Sequence, residues 1–310
     1  MATRSEEQAD DEDEPLLGKP APRARQAKPL ASRPWPRDYH SMKNLTPLAS
    51  HSVLTQRLTR REALGVGAAL AATAVLPGRL LGAERKPRVV VWSEGTAPDD
   101  KVYPQDVNAA IADGLKKLLK GWDIETAGLK SLEQGCSEDS LKRCDVLIWW
   151  GHKRHDDVKN EYVDRIVRRV KDEGMGFISV HSSHFAKPNK RLMGTACSWG
   201  AYENDGCKCK VIVKEPSHPI VKGVKDFLLP AIERYSEPYA VPTPEAVPLA
   251  GTYIYPDGKE EPTRLGLCWT IGKGRMFYFA PGHETCRDFY MEEVQRIFAN
   301  AVEWAATKRA

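Results

Sequence analysis

Histidine and glutamate gather at the ends of apolar runs in this sequence. Gly176-Phe-Ile-Ser-Val180 is followed at once by His181, Ser182, Ser183 and His184. Val146-Leu-Ile-Trp-Trp150 leads into Gly151, His152, His155 and Asp156; Arg275-Met-Phe-Tyr-Phe279 leads to His283-Glu284; and Arg88-Val-Val-Val-Trp92 leads to Ser93-Glu94. Neutral imidazoles beside carboxylates are the usual donor set for zinc, and they are also the groups that move protons near neutral pH. The chemistry on offer is metal ligation or general acid and base catalysis, with His181 at its centre. A His-x-x-His pair is weak alone, because in a loop that spacing fixes no geometry, and 152/155 by itself also reads as solvated or structural. Its recurrence at 181/184, again at the end of an apolar run, is what argues for a site.

Such a site needs strands that end together. Runs with both faces apolar suit buried parallel strands, and the first of them, Arg88 to Trp92, is followed by a helical period at residues 107, 111, 115, 118 and 119 with Asp106 as N-cap. Asp123 to Thr126 and Val146 to Trp150 are the next strands. A second helix carries Val158, Tyr162, Ile166, Val167 and Val170, capped by Asp156 or Asp157, and Gly176 to Val180 is the fourth strand. Beyond Met193 the pattern changes to short strands and turns at Val211 to Val213, Val247 to Tyr255, Arg264 to Thr270 and Arg275 to Phe279, the last two joined at Gly272-Lys-Gly274. A terminal helix buries Val294, Ile297, Phe298, Ala301, Val302 and Ala305. Alternating strands and helices predict one flavodoxin-like, three-layer α/β sandwich with a mainly parallel central sheet, the strands at Arg88, Val146 and Gly176 central and those after Val211 peripheral. Ligands of such sheets bind beyond the carboxyl ends of the strands.

Other chemistries fit less well. Gly174-Met-Gly176 precedes its strand and reads as a tight turn, not a phosphate loop. Ser182 and Ser183 lack the Gly-x-Ser-x-Gly elbow of a serine hydrolase. Seven cysteines cannot all pair, and Cys207-Lys-Cys209 lacks the second pair of a zinc knuckle. A formal charge of +4 spread over 310 residues offers no nucleic-acid surface. Trp149, Trp150, Trp199, Tyr202, Tyr235 and Tyr239 are core by default, although one or two near the strand ends would suit the apolar faces of sugar rings.

The N-terminal region reads differently. Residues 1–57 hold an acidic cluster and then a Pro- and Arg-rich run, too polar to bury a core, which predicts a disordered extension; Met42 is an alternative start. Residues 58–83 carry Arg60-Arg61 before an uncharged run ending near Leu76 and a small-residue exit at Leu81-Gly-Ala83. This pattern resembles a twin-arginine export signal, and the run is shorter than the roughly 20 residues that cross a bilayer. Residues 84–310 are then the folded domain of an exported, periplasmic or extracellular protein with no stable membrane span after cleavage.

Trp149-Trp-Gly-His152 with His155-Asp156, Val180-His-Ser-Ser-His-Phe185, Leu192-Met-Gly-Thr-Ala-Cys197, His218-Pro-Ile220 and Gly272-Lys-Gly-Arg-Met-Phe-Tyr-Phe-Ala-Pro-Gly-His-Glu-Thr285 together resemble the trehalose-utilisation (ThuA-like) family. The resemblance spans about Arg88 to Ala306. It implies the fold of class I glutamine amidotransferases, with His181 at the elbow where those enzymes carry a cysteine and His283 at their late histidine. Without a thiolate at the elbow, glutaminase chemistry is not expected. The resemblance also implies work on trehalose or related disaccharides, in particular 3-keto derivatives made by a sugar oxidoreductase. A carbonyl beside an acidic C–H suits base catalysis supported by a divalent ion. On this reading His181, His283 and Glu284 are catalytic, His152, His181 and His184 hold a divalent metal, zinc first, and Glu94, Asp156, Trp150 and Ser182 bind the sugar. A homo-oligomer is compatible with it. Two alternatives stand beside it: a non-catalytic carbohydrate-binding module on the same scaffold, and a hydrolase using Cys197 or Cys286.

If residues 58–83 are a cleaved export signal, N-terminal sequencing of protein recovered from its host returns a chain starting near Glu84, outside the cytoplasm. An intact N-terminus on cytoplasmic protein would refute the signal.

Overall fold

The computed structural model describes residues 85–97 and 101–306. The predicted extension and export signal lie outside the described residues. Among the described residues, no helix is long and apolar enough to cross a membrane.

Five parallel strands form one half of a nine-stranded sheet. β1 (Arg88–Ser93) lies between β2 (Asp123–Gly128) and β3 (Val146–Trp150), and β4 (Gly176–Val180) follows β3. Every residue of β1, β3 and β4 is buried, as expected of strands covered on both faces. Short strands β5 (Ala201–Glu203), β6 (Lys208–Val213), β7 (Phe227–Leu229) and β8 (Arg234–Ser236) come next in the chain, then β9 (Ala246–Ile254), β10 (Glu260–Ile271) and β11 (Gly274–Phe279). The complete order is β2-β1-β3-β4-β11-β10-β9-β6-β7, with β5 and β8 pairing apart as a two-stranded sheet.

One expectation is corrected here. β11 is not peripheral: it runs parallel to β4, with Phe279 beside Val180, and occupies the middle of the sheet. The reason is its turn. Ile271 pairs with Gly274, so Gly272-Lys273 close a hairpin that reverses the long strand β10 and lays β11 against β4. The antiparallel strands beyond it are the periphery, as predicted.

Helices cover both faces. α1 (Val107–Leu118) and α5 (Glu292–Ala306) pack together on one side, while α2 (Glu138–Arg143), α3 (Asn160–Lys171) and α4 (Lys187–Met193) pack on the other. Asp106 caps α1 through a 2.8 Å bond from the Val107 N–H. Asp156 and Asp157 do not cap α3; they sit in a 3-10 turn, and the cap position is Lys159. α2, α4, β5, β7 and β8 leave no mark in the sequence pattern, each being too short to show a period.

The outcome is that β1, β3, β4 and β11 end at the same edge. Trp150 is level with Val180, and Val180 with Phe279, so the loops carrying Glu94, His152, His181 and His283 leave the sheet side by side. Gly176, at the opposite end of β4, lets α5 approach, because a Cβ there would lie 2.7 Å from the Ala305 Cβ and 2.8 Å from its carbonyl oxygen. Gly176→Val should therefore push β4 off α5 and lower stability by about 1–3 kcal/mol. A urea midpoint equal to wild type would show that this contact is not needed.

Candidate active and metal site

Each reactive loop is pinned by a hydrogen bond to a neighbour. Glu94, buried after β1, accepts the backbone N–H groups of Lys153 and Arg154, the latter at 3.0 Å, and so fixes the loop that presents His152. Ser183 accepts the Gly151 N–H at 2.7 Å and donates to the Trp149 carbonyl at 2.8 Å, tying the end of β4 to the end of β3. Trp150 donates from Nε1 to the Gly282 carbonyl at 3.0 Å, tying β3 to the loop after β11. Gly282 has φ 115, and a Cβ there would meet Phe289 at 2.6 Å, so only glycine makes the turn into His283 without strain.

His181 turns the chain sharply out of β4 with φ 53, in the left-handed region. Its ring is fully buried. Nδ1 lies 2.8 Å from the Ala280 carbonyl, which only accepts, so Nδ1 carries a proton. Nε2 lies 2.8 Å from Glu233 Oε2 and 2.9 Å from the Tyr235 hydroxyl. Because a carboxylate only accepts, a proton is shared between His181 Nε2 and Glu233. Tyr235 also donates to Glu233 at 2.9 Å and meets the Ser182 hydroxyl at 2.8 Å.

His283 and His152 complete the cluster. Their rings stand edge to face 4.9 Å apart, and His283 is 5.3 Å from the His181 ring. Glu284, fully buried, has one oxygen 2.5 Å from His152 Nδ1 and the other 2.8 Å from the Lys153 ammonium. Burial acts to raise this carboxyl, but His152 and Lys153 outweigh it and hold the pKa at about 2. Glu233 is likewise held at about 2, burial being outweighed by His181, His283 and Tyr235. Burial first, and then the nearby His181, push His283 down to about 4, so its imidazole is neutral at ordinary pH.

Donor atoms of His152, Glu233 and His283 lie within 4.8 Å of one another, a group that can hold a metal ion. Two imidazoles and a carboxylate are a donor set that zinc takes in catalytic sites, where a fourth position stays open. The donor chemistry therefore fits: Glu233 is ionised and His283 is neutral.

The sequence-derived candidates separate on this frame. His152, His181, His283 and Glu284 converge. His184 does not join the donor group: its Nδ1–H donates to the carbonyl of His181 at 3.0 Å, and its ring sits among Phe185, Tyr202, Tyr235, Tyr239 and Tyr278. Burial pushes it down to about 3, so it stays neutral. His181 also lies outside the three-residue donor group, its two nitrogens being taken by Ala280, Glu233 and Tyr235. Ser182 reaches the site through Tyr235, Trp150 is wholly buried as a brace, Glu94 holds the His152 loop, and the side chain of Asp156 is exposed. Cys197 and Cys286 are buried thiols whose pKa burial raises, for Cys286 to about 12, which keeps both protonated.

Sequence reasoning missed Glu233 altogether and left Tyr235 as core. Tyr235 is the middle residue of β8 and Glu233 immediately precedes the strand, while Arg234 between them turns the other way, to Asp205 at 2.9 Å. A three-residue strand is too short for its alternation to show in the sequence, so no signal there marked either residue.

A family model for trehalose utilisation (ThuA) matches residues 88–305. The chain belongs to the ThuA family. A ThuA-like protein from Parabacteroides merdae has a similar structure, with TM-score 0.50 at 15% identity over 72% of this chain and 91% of that one. Weaker likenesses include a candidate GMP synthase component from Thermoplasma acidophilum (TM-score 0.43, 13% identity, 71% and 94% covered) and the Trypanosoma brucei CTPS glutaminase domain with bound acivicin (TM-score 0.41, 10% identity, 70% and 94% covered). A search of curated proteins finds no significant match. The likeness to the Parabacteroides merdae protein is one of fold, and His181 turns the chain out of the central strand β4 of that fold.

His184 gives a pH prediction. Its folded pKa is depressed to about 3 from 6.5, so its contribution to stability is complete above the unfolded value and is lost as pH falls from about 6.5 toward 3. Metal-free protein should unfold at lower urea at pH 5 than at pH 7, and His184→Phe should flatten that dependence by up to about 1.4 kcal/mol per pH unit. An unchanged slope would mean that the ring is solvated.

Proposed function

We propose that this ThuA-family protein, whose family supports a role in carbohydrate utilisation, acts on trehalose or a related 3-keto disaccharide by acid and base catalysis at a divalent-metal site. The observation that carries the reading is the contact of the shared His181–Glu233 proton with a donor group of His152, Glu233 and His283. Zinc is the metal we favour, held by those three side chains; bound there, it would supply polarisation of a substrate carbonyl.

The remaining work belongs to the chain. His181 gives and takes a proton at Nε2 beside the substrate, and Ala280 keeps the opposite nitrogen protonated so that only Nε2 is available. Burial and the Glu233 charge keep the Tyr235 hydroxyl protonated, so Tyr235 donates to Glu233 and accepts from the Ser182 hydroxyl, which holds it in place beside His181. Glu284 and Lys153 hold the His152 loop in register. A ketone raises the acidity of the neighbouring C–H, so a 3-keto sugar, as product of a sugar oxidoreductase, is the substrate class to which such a site is suited. Export through the twin-arginine pattern would set that reaction outside the cytoplasm.

The test uses full-length protein, a 3-keto disaccharide and elemental analysis. His152→Ala and His283→Ala should lose the metal. His181→Asn, whose side chain tolerates the left-handed backbone, should keep metal and fold while turnover falls about 10²–10⁴-fold. Full turnover and unchanged metal content in the His181 variant would leave a carbohydrate-binding module without catalysis as the better reading.

A further inference from the structure

Beside the His/Glu cluster stands an aromatic surface with no role so far. Tyr202 is one of only two aromatic residues among the described residues with large exposure, 43%, and unlike the other, Tyr290, it belongs to the site. It lies on β5 directly across from Tyr235 on β8, so the two side chains share one face of the small sheet. Their rings meet edge to face at 5.8 Å, and Tyr235 in turn lies against the His181 ring at 4.8 Å. Phe185, half-buried, packs 5.6 Å from Tyr202, and the His155 ring stands edge-on to Phe185 at 6.5 Å with both of its nitrogens unpaired.

These features have the chemistry of a sugar subsite. A pyranose offers an apolar C–H face and a rim of hydroxyls. An exposed aromatic ring braced by a second ring meets the first. A core tyrosine would have been buried, and a tyrosine exposed by chance would not be paired with the residue that hydrogen-bonds the catalytic pair.

We infer that Tyr202, backed by Phe185, is the stacking wall for the second ring of a disaccharide whose first ring enters the His181–Glu233 site. This rests on the reading of the protein as acting on a disaccharide, and it adds the residue that selects disaccharide over monosaccharide. Tyr202 sits one ring further out than Tyr235, so a monosaccharide at His181 leaves it uncovered, whereas a second sugar ring covers it.

Calorimetric titration of full-length protein with trehalose and with glucose tests this, using wild type, Tyr202→Phe and Tyr202→Ala, with metal content measured for each. Wild type and Tyr202→Phe should prefer trehalose. Tyr202→Ala should lose about tenfold in trehalose affinity, with glucose binding and metal content unchanged. The inference is overturned if Tyr202→Ala keeps its trehalose affinity, if Tyr202→Phe loses as much as Tyr202→Ala, or if wild type binds the two sugars alike. An intact preference in Tyr202→Ala leaves the proposed function standing, because that reading falls on the His181 variant and not on this one.

Discussion

The backbone of His181 sits in a conformation that non-glycine residues seldom adopt, and the arrangement of the site depends on its being held there. Left-handed backbone costs about 1–2 kcal/mol for a residue with a Cβ, so the surroundings must over-determine it. They do so by closing on its carbonyl and its ring at once. Tyr278 donates to the carbonyl at 3.1 Å, His184 donates to the same oxygen at 3.0 Å, and the ring is anchored by the Ala280 carbonyl. Freed of this clamp, the strand would continue in extended form and the imidazole would no longer face Glu233.

The same constraint explains why so much charge is buried in one place. Glu233, Glu284 and the imidazoles would each be costly alone away from water, and removing one partner from a buried pair typically costs several kcal/mol. Here each carboxylate has its own partners: His181 and Tyr235 for Glu233, His152 and Lys153 for Glu284. The two pairs meet at His283, which stays neutral and so adds no charge for either carboxylate to balance. An uncharged imidazole between two ionised carboxylates is also what a cation would need, because its lone pair remains available for ligation.

Much of the frame is legible in the chain because buried parallel strands announce themselves as unbroken apolar runs. β1, β3, β4 and β11 do so, and the residues just past their ends, His152, His181, His283 and Glu284, are those that converge. What stays hidden depends on pairing between segments far apart. Glu233 and Tyr235 belong to a three-residue strand and its edge, whose partner β5 is equally short, and neither strand carries an alternation that marks it. His184 misleads for a local reason. Spaced three from His181 in a 3-10 turn, it occupies a ligand-like position in the sequence, yet its ring folds back to bond its neighbour's own carbonyl. β11 reads as an edge strand because it follows a hairpin, and only the register against β4 shows that the hairpin returns it to the centre.

The use of an imidazole at the end of β4 depends on what faces its Nε2. In this chain that group is Glu233, which immediately precedes β8, a strand paired with β5 outside the nine-stranded sheet. The β8 segment supplies Tyr235 and, just before it, Glu233, and β5 supplies Tyr202 across from Tyr235. Under the proposed function, the segment that faces His181 with a carboxylate is thus paired with the one that carries the sugar-stacking ring, and a shift of the small sheet would act on both reaction and selectivity.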